Sequence, residues 1–148
     1  MFQPRSTPFA PRSALLDIGQ VMDPATPWLE ETLTRVSTAR VAVFGDFALD
    51  AYWDLADDDG ELSLETGEKV RKVRTQSYGP GGAGNIAANL AALGVAEVHA
   101  IGLLGDDLFG SSLFTQLEEL GVHAGGLLRC QDNWQTPVFT KPQVRGVE

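Results

Sequence analysis

Two short apolar runs, each nearly continuous and each ended by glycine, limit what this chain can fold into. Val41-Ala42-Val43-Phe44 stops at Gly45, and Val98 to Leu104 stops at Gly105. Such runs belong to strands buried in a parallel sheet with helices on its faces, not to half-exposed alternating strands. Helical patterns lie around them. Over 27–38, Thr26 suits the cap, Pro27 the first helical position, and Leu29, Leu33 and Val36 form a stripe. Asn85 to Leu93 places Ile86, Leu90 and Leu93 on one face and stops at Gly94. Asp106 or Asp107 then caps a helix carrying Phe109, Leu113, Leu117 and Leu120, ended by Gly121. A third short strand is expected near 126–129. Strands alternating with helices predict an α/β fold on a parallel, doubly wound sheet.

A second texture interrupts this pattern. Residues 49–54 and 69–78 are polar and extended, and Asp57-Asp58-Asp59-Gly60 and a Ser/Thr/Gly-rich linker separate them. They read as solvated antiparallel strands of a small sheet outside the main core, which the extended run Thr136–Thr140 is placed to rejoin. The aspartate cluster invites a calcium-loop reading. Leu55 and Thr66 occupy the positions where such a loop needs its first and its bidentate acidic ligands, so a hairpin tip is expected instead.

Composition removes several function classes. The 148 residues suit one domain with one core, and residues 1–25 read as a disordered leader. A net charge of −9 argues against nucleic acid or an anionic membrane as main partner, despite the local cluster Lys69, Arg71, Lys72 and Arg74. No apolar run is long enough to span a bilayer. The single cysteine, Cys130, forbids an internal disulfide and fits a reducing, cytoplasmic location. His99 and His123 are far apart in sequence, with no further ligand at metal spacing. Only two helices follow the first core strand, too few to cover both faces of a parallel sheet. Either the 27–38 helix covers the second face, or this is the N-terminal part of a larger domain, truncated at its C-terminus; the second is the expectation.

Chemistry concentrates in Gly79-Pro80-Gly81-Gly82-Ala83-Gly84-Asn85. Read as Gly-x-Gly-x-x-Gly it is a dinucleotide fingerprint, with a helix after it and Asp106 at about the expected distance. The preceding segment Lys69–Tyr78 carries four cations, which a strand buried on both faces could not tolerate, and Pro80 removes one N–H from a phosphate cradle. Read as Gly-Gly-x-Gly-Asn, the stretch can hold sugar hydroxyls. Its partner would be Gly45-Asp46-Phe47-Ala48-Leu49-Asp50, leaving the carboxyl end of the first core strand, where open α/β sheets bind ligands. Asp46 and Asp50 are candidate hydroxyl acceptors. A turn or backbone role suits Asp46 better. Asp50, beside Leu49 and Tyr52-Trp53, suits ligand contact. For Asn85, helix capping and ligand binding are compatible.

Gly45-Asp46 followed by Leu49-Asp50, then Gly-Gly-Ala-Gly-Asn-Ile-Ala, then Gly102-Leu-Leu-Gly-Asp-Asp-Leu-Phe-Gly110, resembles the ribokinase-like (PfkB) carbohydrate kinases from about Val41 onward. Asp50-Ala51-Tyr52-Trp53 is most similar to the heptose 7-phosphate kinases of that family. The resemblance implies a ribokinase-like parallel sheet with flanking helices plus a small β lid. Residues 26–148 would form the N-terminal portion of the kinase domain, with lid segments about 49–78 and 134–142. It implies that Asp50, Gly81, Gly82 and Asn85 bind hydroxyls of a sugar or sugar phosphate, and that lid strands pair two subunits into a homodimer. ATP and Mg2+ are expected for a complete family member. The family's Gly-Ala-Gly-Asp element, which carries the anion hole and the catalytic aspartate, has no counterpart in this sequence. The catalytic residues and the ATP site are therefore expected outside this chain, which would be inactive alone. Two other readings stay open: a dinucleotide-binding oxidoreductase fragment and a non-catalytic sugar-binding module. Lys141 could reach a sugar phosphate from the lid, with a solvated strand lysine the simpler expectation.

Overall fold

The computed structural model describes residues 27–57, 60–131 and 133–144. The expected leader, residues 1–25, lies outside them, as do Asp58 and Asp59 of the aspartate cluster. Contacts divide the chain into two units, Met1–Thr34 and Arg35–Glu148. Helix α1 (Pro27–Val36) starts in the first, with Glu30 in its first turn and Arg35 in its last, complementing the helix dipole.

In the second unit, strands β1 (Arg40–Phe44), β2 (Phe47–Leu55), β3 (Glu61–Leu62), β4 (Lys69–Val70) and β5 (Val73–Gly82) lead into helix α2 (Ala83–Ala92). Strand β6 (Glu97–Gly105), helix α3 (Leu108–Glu119) and strands β7 (Val122–Cys130) and β8 (Val138–Gln143) follow. The main sheet is parallel, in the order β1-β6-β7. Its register runs from Arg40 against Glu97 to Phe44 against Ile101, and from Val98 against Val122 to Gly105 against Cys130. An irregularity between His99 and Ile101 gives β7 one extra residue, so Ala124 and Leu127 both turn toward the core.

Helices α2 and α3 bury one face of this sheet. Val43, Val98, Ala100, Leu104, Val122, Ala124 and Leu127 pack there with Ala83, Ala87, Leu113 and Leu117. The alternate residues Phe44, Ile101, Leu103 and Leu128 remain 83%, 41%, 42% and 65% exposed, so the apolar runs that promised burial on both faces are buried on one. Helix α2 also departs from its expected stripe. Ala83, Gly84 and Ala87 are its buried residues, whereas Ile86 and Leu93 point outward at 56% and 62% exposure. The helix starts two residues earlier than its pattern suggested; Leu90 of the expected stripe still packs against the core, and the fully buried positions are the small Ala83, Gly84 and Ala87.

The second sheet has the order β5-β2-β8. Strand β5 is antiparallel to β2, as expected, but β8 joins on the other side in parallel, making the sheet mixed. Its central strand is not solvated: Phe47, Ala48, Leu49 and Ala51 are buried, and Phe47 and Leu49 belong to the same core cluster as the main sheet. The segment 69–78 divides into β4, which pairs with β3, and the long β5. No helix among the described residues is long and apolar enough to cross a membrane.

Candidate functional site

Strand β5 runs straight through the glycines, so Gly79, Pro80, Gly81 and Gly82 are ladder residues opposite Asp50, Leu49, Ala48 and Phe47. Helix α2 follows with no intervening loop. Gly82 makes the junction possible with φ 55° and ψ −128°, a conformation closed to side-chain-bearing residues, and its Cα lies so close to Asp46 that a Cβ would sit 2.5 Å from that carbonyl oxygen. The same carbonyl accepts a hydrogen bond from Ala83 N at 2.9 Å. Asp46 thus serves the junction through its backbone.

Gly81 serves Asp50. A Cβ at Gly81 would lie 2.8 Å from Asp50 Oδ1 and 3.0 Å from its Cγ, so the carboxylate rests where a side chain would otherwise stand. The other oxygen is held from β8. Lys141 Nζ donates to Asp50 Oδ2 at 2.9 Å and to Tyr52 Oη at 3.3 Å, and lies 4.9 Å from the Tyr52 ring centroid. Tyr52 Oη is 3.5 Å from Asp50 Oδ2. The side chains of Asp50 and Lys141 are 19% and 31% exposed, so solvent screens the pair only in part. The Asp50 bond, then the Tyr52 bond, push the Lys141 ammonium above the ordinary lysine range. The solvated lysine expected at this position is instead half of an ion pair.

Asn85 sits in the first turn of α2, three residues beyond Gly82, with its side chain exposed and its Oδ1 accepting from Asn89 Nδ2 at 3.4 Å. It is not the cap. Gly82 holds that position and makes no side-chain capping bond. Capping therefore does not account for an asparagine here.

Asp107 does cap its helix. Its Oδ1 accepts from Gly110 N at 2.7 Å and its Oδ2 from Thr136 N at 2.8 Å, while the buried Thr136 Oγ1 accepts from Gly105 N at 2.9 Å. This latch ties β6, α3 and the approach to β8 together. A cavity of about 570 Å3 lies beside it, lined by Asp107, Leu108, Phe109, Gln135, Thr136, Pro137 and Val138. Sequence reading missed the part played by Thr136, whose Thr-Pro pair just before an extended run was the only local signal. It also missed that β6–β7 register stacks His99 on His123, with ring centroids 4.7 Å apart. His99, then Arg40, bonds the Glu97 carboxylate and holds it below the usual glutamate range.

The geometry argues against the dinucleotide reading of the glycine stretch. The segment ends an antiparallel strand of the second sheet, not the first strand of a parallel βαβ unit. Pro80 has no N–H, and the Ala83 N–H is spent on Asp46. The stretch is not a phosphate cradle, and the described residues present no fit for the phosphates of ATP or of a dinucleotide there.

Comparison with known proteins agrees. The model of the pfkB family carbohydrate kinases matches residues 38–136. The bifunctional protein HldE of Aliivibrio salmonicida is 39% identical over 95 residues, which cover 64% of this chain and 19% of that protein. HldE of Nitrosococcus oceani is 42% identical over 91 residues, covering 62% and 19%. Among solved structures, fructokinase from Xylella fastidiosa with bound ATP is 28% identical at a TM-score of 0.51, over 71% of this chain and 30% of that one. A carbohydrate kinase from Agrobacterium tumefaciens, 22% identical at a TM-score of 0.56 over 73% and 32%, shares the fold. The chain thus spans about a fifth of the curated relatives' length and under a third of these solved kinases. With two sheets sharing one core, the glycine-ended strand meeting Asp50, and a family match across most of the described residues, the chain belongs to the pfkB family of carbohydrate kinases.

Proposed function

We propose that this chain supplies the sugar-hydroxyl side of an ATP-dependent carbohydrate kinase in the cytoplasm, with the β5-β2-β8 sheet as its lid. Asp50 accepts from one or two hydroxyls of the sugar. Gly81 and Gly82 let the ligand approach the backbone, and Asn85 offers both a donor and an acceptor from the start of α2. The observation that carries this reading is the seating of the Asp50 carboxylate against the bare Cα of Gly81. Two residues 31 positions apart in sequence meet there, and the missing side chain of Gly81 is what leaves room for the carboxylate. Within the family, the run Asp50-Ala51-Tyr52-Trp53 favours heptose 7-phosphate as substrate. ATP with Mg2+ would supply the transferred phosphoryl group, held by residues not found among those described. The chain alone therefore binds sugar without turning over ATP.

Titration calorimetry of the 148-residue chain with D-fructose, D-ribose and heptose 7-phosphate tests this. Hydrogen bonds to a charged group contribute about 1.5–3 kcal/mol, so Asp50→Asn should weaken binding roughly ten- to hundredfold. No ADP should form when ATP and Mg2+ are added. Equal affinity of wild type and Asp50→Asn would exclude Asp50 as the acceptor, and sustained ADP release would exclude the inactive-alone reading.

Among the described residues, β5 and β8 each pair with β2 only, which leaves an outer edge on either side of the lid sheet. Unpaired strand edges invite strand addition, so a homodimer through this sheet is part of the proposal. Sedimentation equilibrium should give twice the chain mass; a monomer mass at high concentration would rule it out.

A further inference from the structure

The two oxygens of Asp50 have different surroundings. Oδ2 faces Lys141 at 2.9 Å and Tyr52 Oη at 3.5 Å, whereas Oδ1, with no such partner among the described residues, packs closest over Gly81, 2.8 Å from where a Cβ would stand against 3.3 Å for Oδ2. We propose that Lys141 is a positioning residue for Asp50, anchoring Oδ2 so that Oδ1 is presented beside Gly81 as the hydroxyl acceptor. This rests on the reading of Asp50 as the sugar-binding carboxylate.

Several features make Lys141 suited to that task rather than to a chance surface contact. Lys141 stands in register with Tyr52, and Phe139 with Asp50, so the ion pair crosses diagonally between β8 and β2. Side chains on one face at that diagonal spacing are within reach of a long lysine. A slip of β8 by one residue would bring Thr140 or Pro142 opposite Tyr52 and remove the ammonium altogether. The Tyr52 ring fixes the cation from a second direction, through its face and its hydroxyl at once. Exposed ion pairs contribute little because both partners wander; this one has three contacts on the cation and a carboxylate only 19% exposed. Pairing also changes what the carboxylate selects. A lone carboxylate would draw cations, including amino sugars, whereas the neutral pair leaves a carboxylate oxygen suited to a neutral hydroxyl.

The test is a double-mutant cycle on the full 148-residue chain, read by calorimetric titration with whichever of D-fructose, D-ribose and heptose 7-phosphate the wild type binds most tightly. Lys141→Met should weaken binding about tenfold, and Lys141→Arg should keep it within about threefold, since a guanidinium can still hold Oδ2. In an Asp50→Asn background, Lys141→Met should cost nothing further, because a residue acting through Asp50 has nothing left to position. A simple structural role would give additive losses and no rescue by arginine. Circular dichroism melts establish that each variant folds, with Lys141→Gln replacing a methionine variant that does not. The proposal is overturned if Lys141→Met binds like wild type while Asp50→Asn does not, or if the two losses add. If Asp50→Asn itself binds like wild type, or the wild type binds none of the three sugars, the Asp50 reading fails and this role falls with it.

Discussion

Gly82→Ala is expected to lower the melting temperature of the chain by more than about 10 °C, the largest effect of any single methyl added to the glycine stretch. The added carbon would meet the Asp46 carbonyl oxygen at 2.5 Å, and the φ of 55° would strain it even with space available. The clash cannot be relieved by a side-chain rotation, since the obstacle is backbone already bonded to Ala83 N. Strained dihedrals cost on the order of 1–3 kcal/mol and overpacking about the same, so roughly 3–5 kcal/mol is expected in total. That is a large part of the 5–15 kcal/mol by which domains are typically stable. Gly79→Ala is the matched control. A Cβ there meets nothing within 4 Å and φ is not positive, so stability should change by less than about 1 kcal/mol. Equal melts for the two variants would show that the β5–α2 junction does not depend on Gly82.

That contrast also marks how far local sequence carries. Strands β1 and β6 and helix α3 were legible because their signals are local: short apolar runs ended by glycine, an aspartate cap, and Leu113 and Leu117 one turn apart; β7, expected only near 126–129, already begins at Val122. The glycine stretch was legible as chemistry but not as structure. Glycine and proline are poor strand formers, and only pairing with buried Phe47, Ala48 and Leu49 turns Gly79–Gly82 into a strand. Helix α2 hides its packing for a related reason. Joined to β5 without a loop, it buries Ala83 and Ala87 rather than the larger Ile86 its pattern favoured. The contacts of the candidate site were half legible. Asp50 and Gly81 could be paired on motif order, but the lysine that bonds Asp50 lies 91 residues from it. Sheet register alone brings it there, and no sequence window contains it. The stacked His99 and His123 are invisible for the same reason.

Asp107→Ala should destabilise the chain by about 2–4 kcal/mol at neutral pH, from a lost helix cap and a lost charge-assisted bond to Thr136 N. The pH dependence separates this from a packing defect. Partial burial pushes the Asp107 carboxyl up, but the N–H groups of Thr136 and Gly110, the Thr136 hydroxyl and the Phe109 N–H outweigh it, leaving the group below the ordinary 3.8. A carboxyl depressed in the folded state binds protons more readily once unfolded. Its contribution is therefore fully present above 3.8 and is lost as pH falls toward the lower folded value. Urea midpoints of wild type and Asp107→Ala should differ by a constant amount from pH 7 down to about pH 5, then converge below about pH 4. A gap that stays open throughout would mean the alanine variant fails by lost packing rather than by lost carboxylate bonds. Because Thr136 leads directly into β8, the same variant should also weaken the sugar binding proposed above near neutrality. The latch holds the approach to the strand whose register delivers Lys141 to Asp50, so loosening it should be felt at the Asp50 carboxylate as well as at α3.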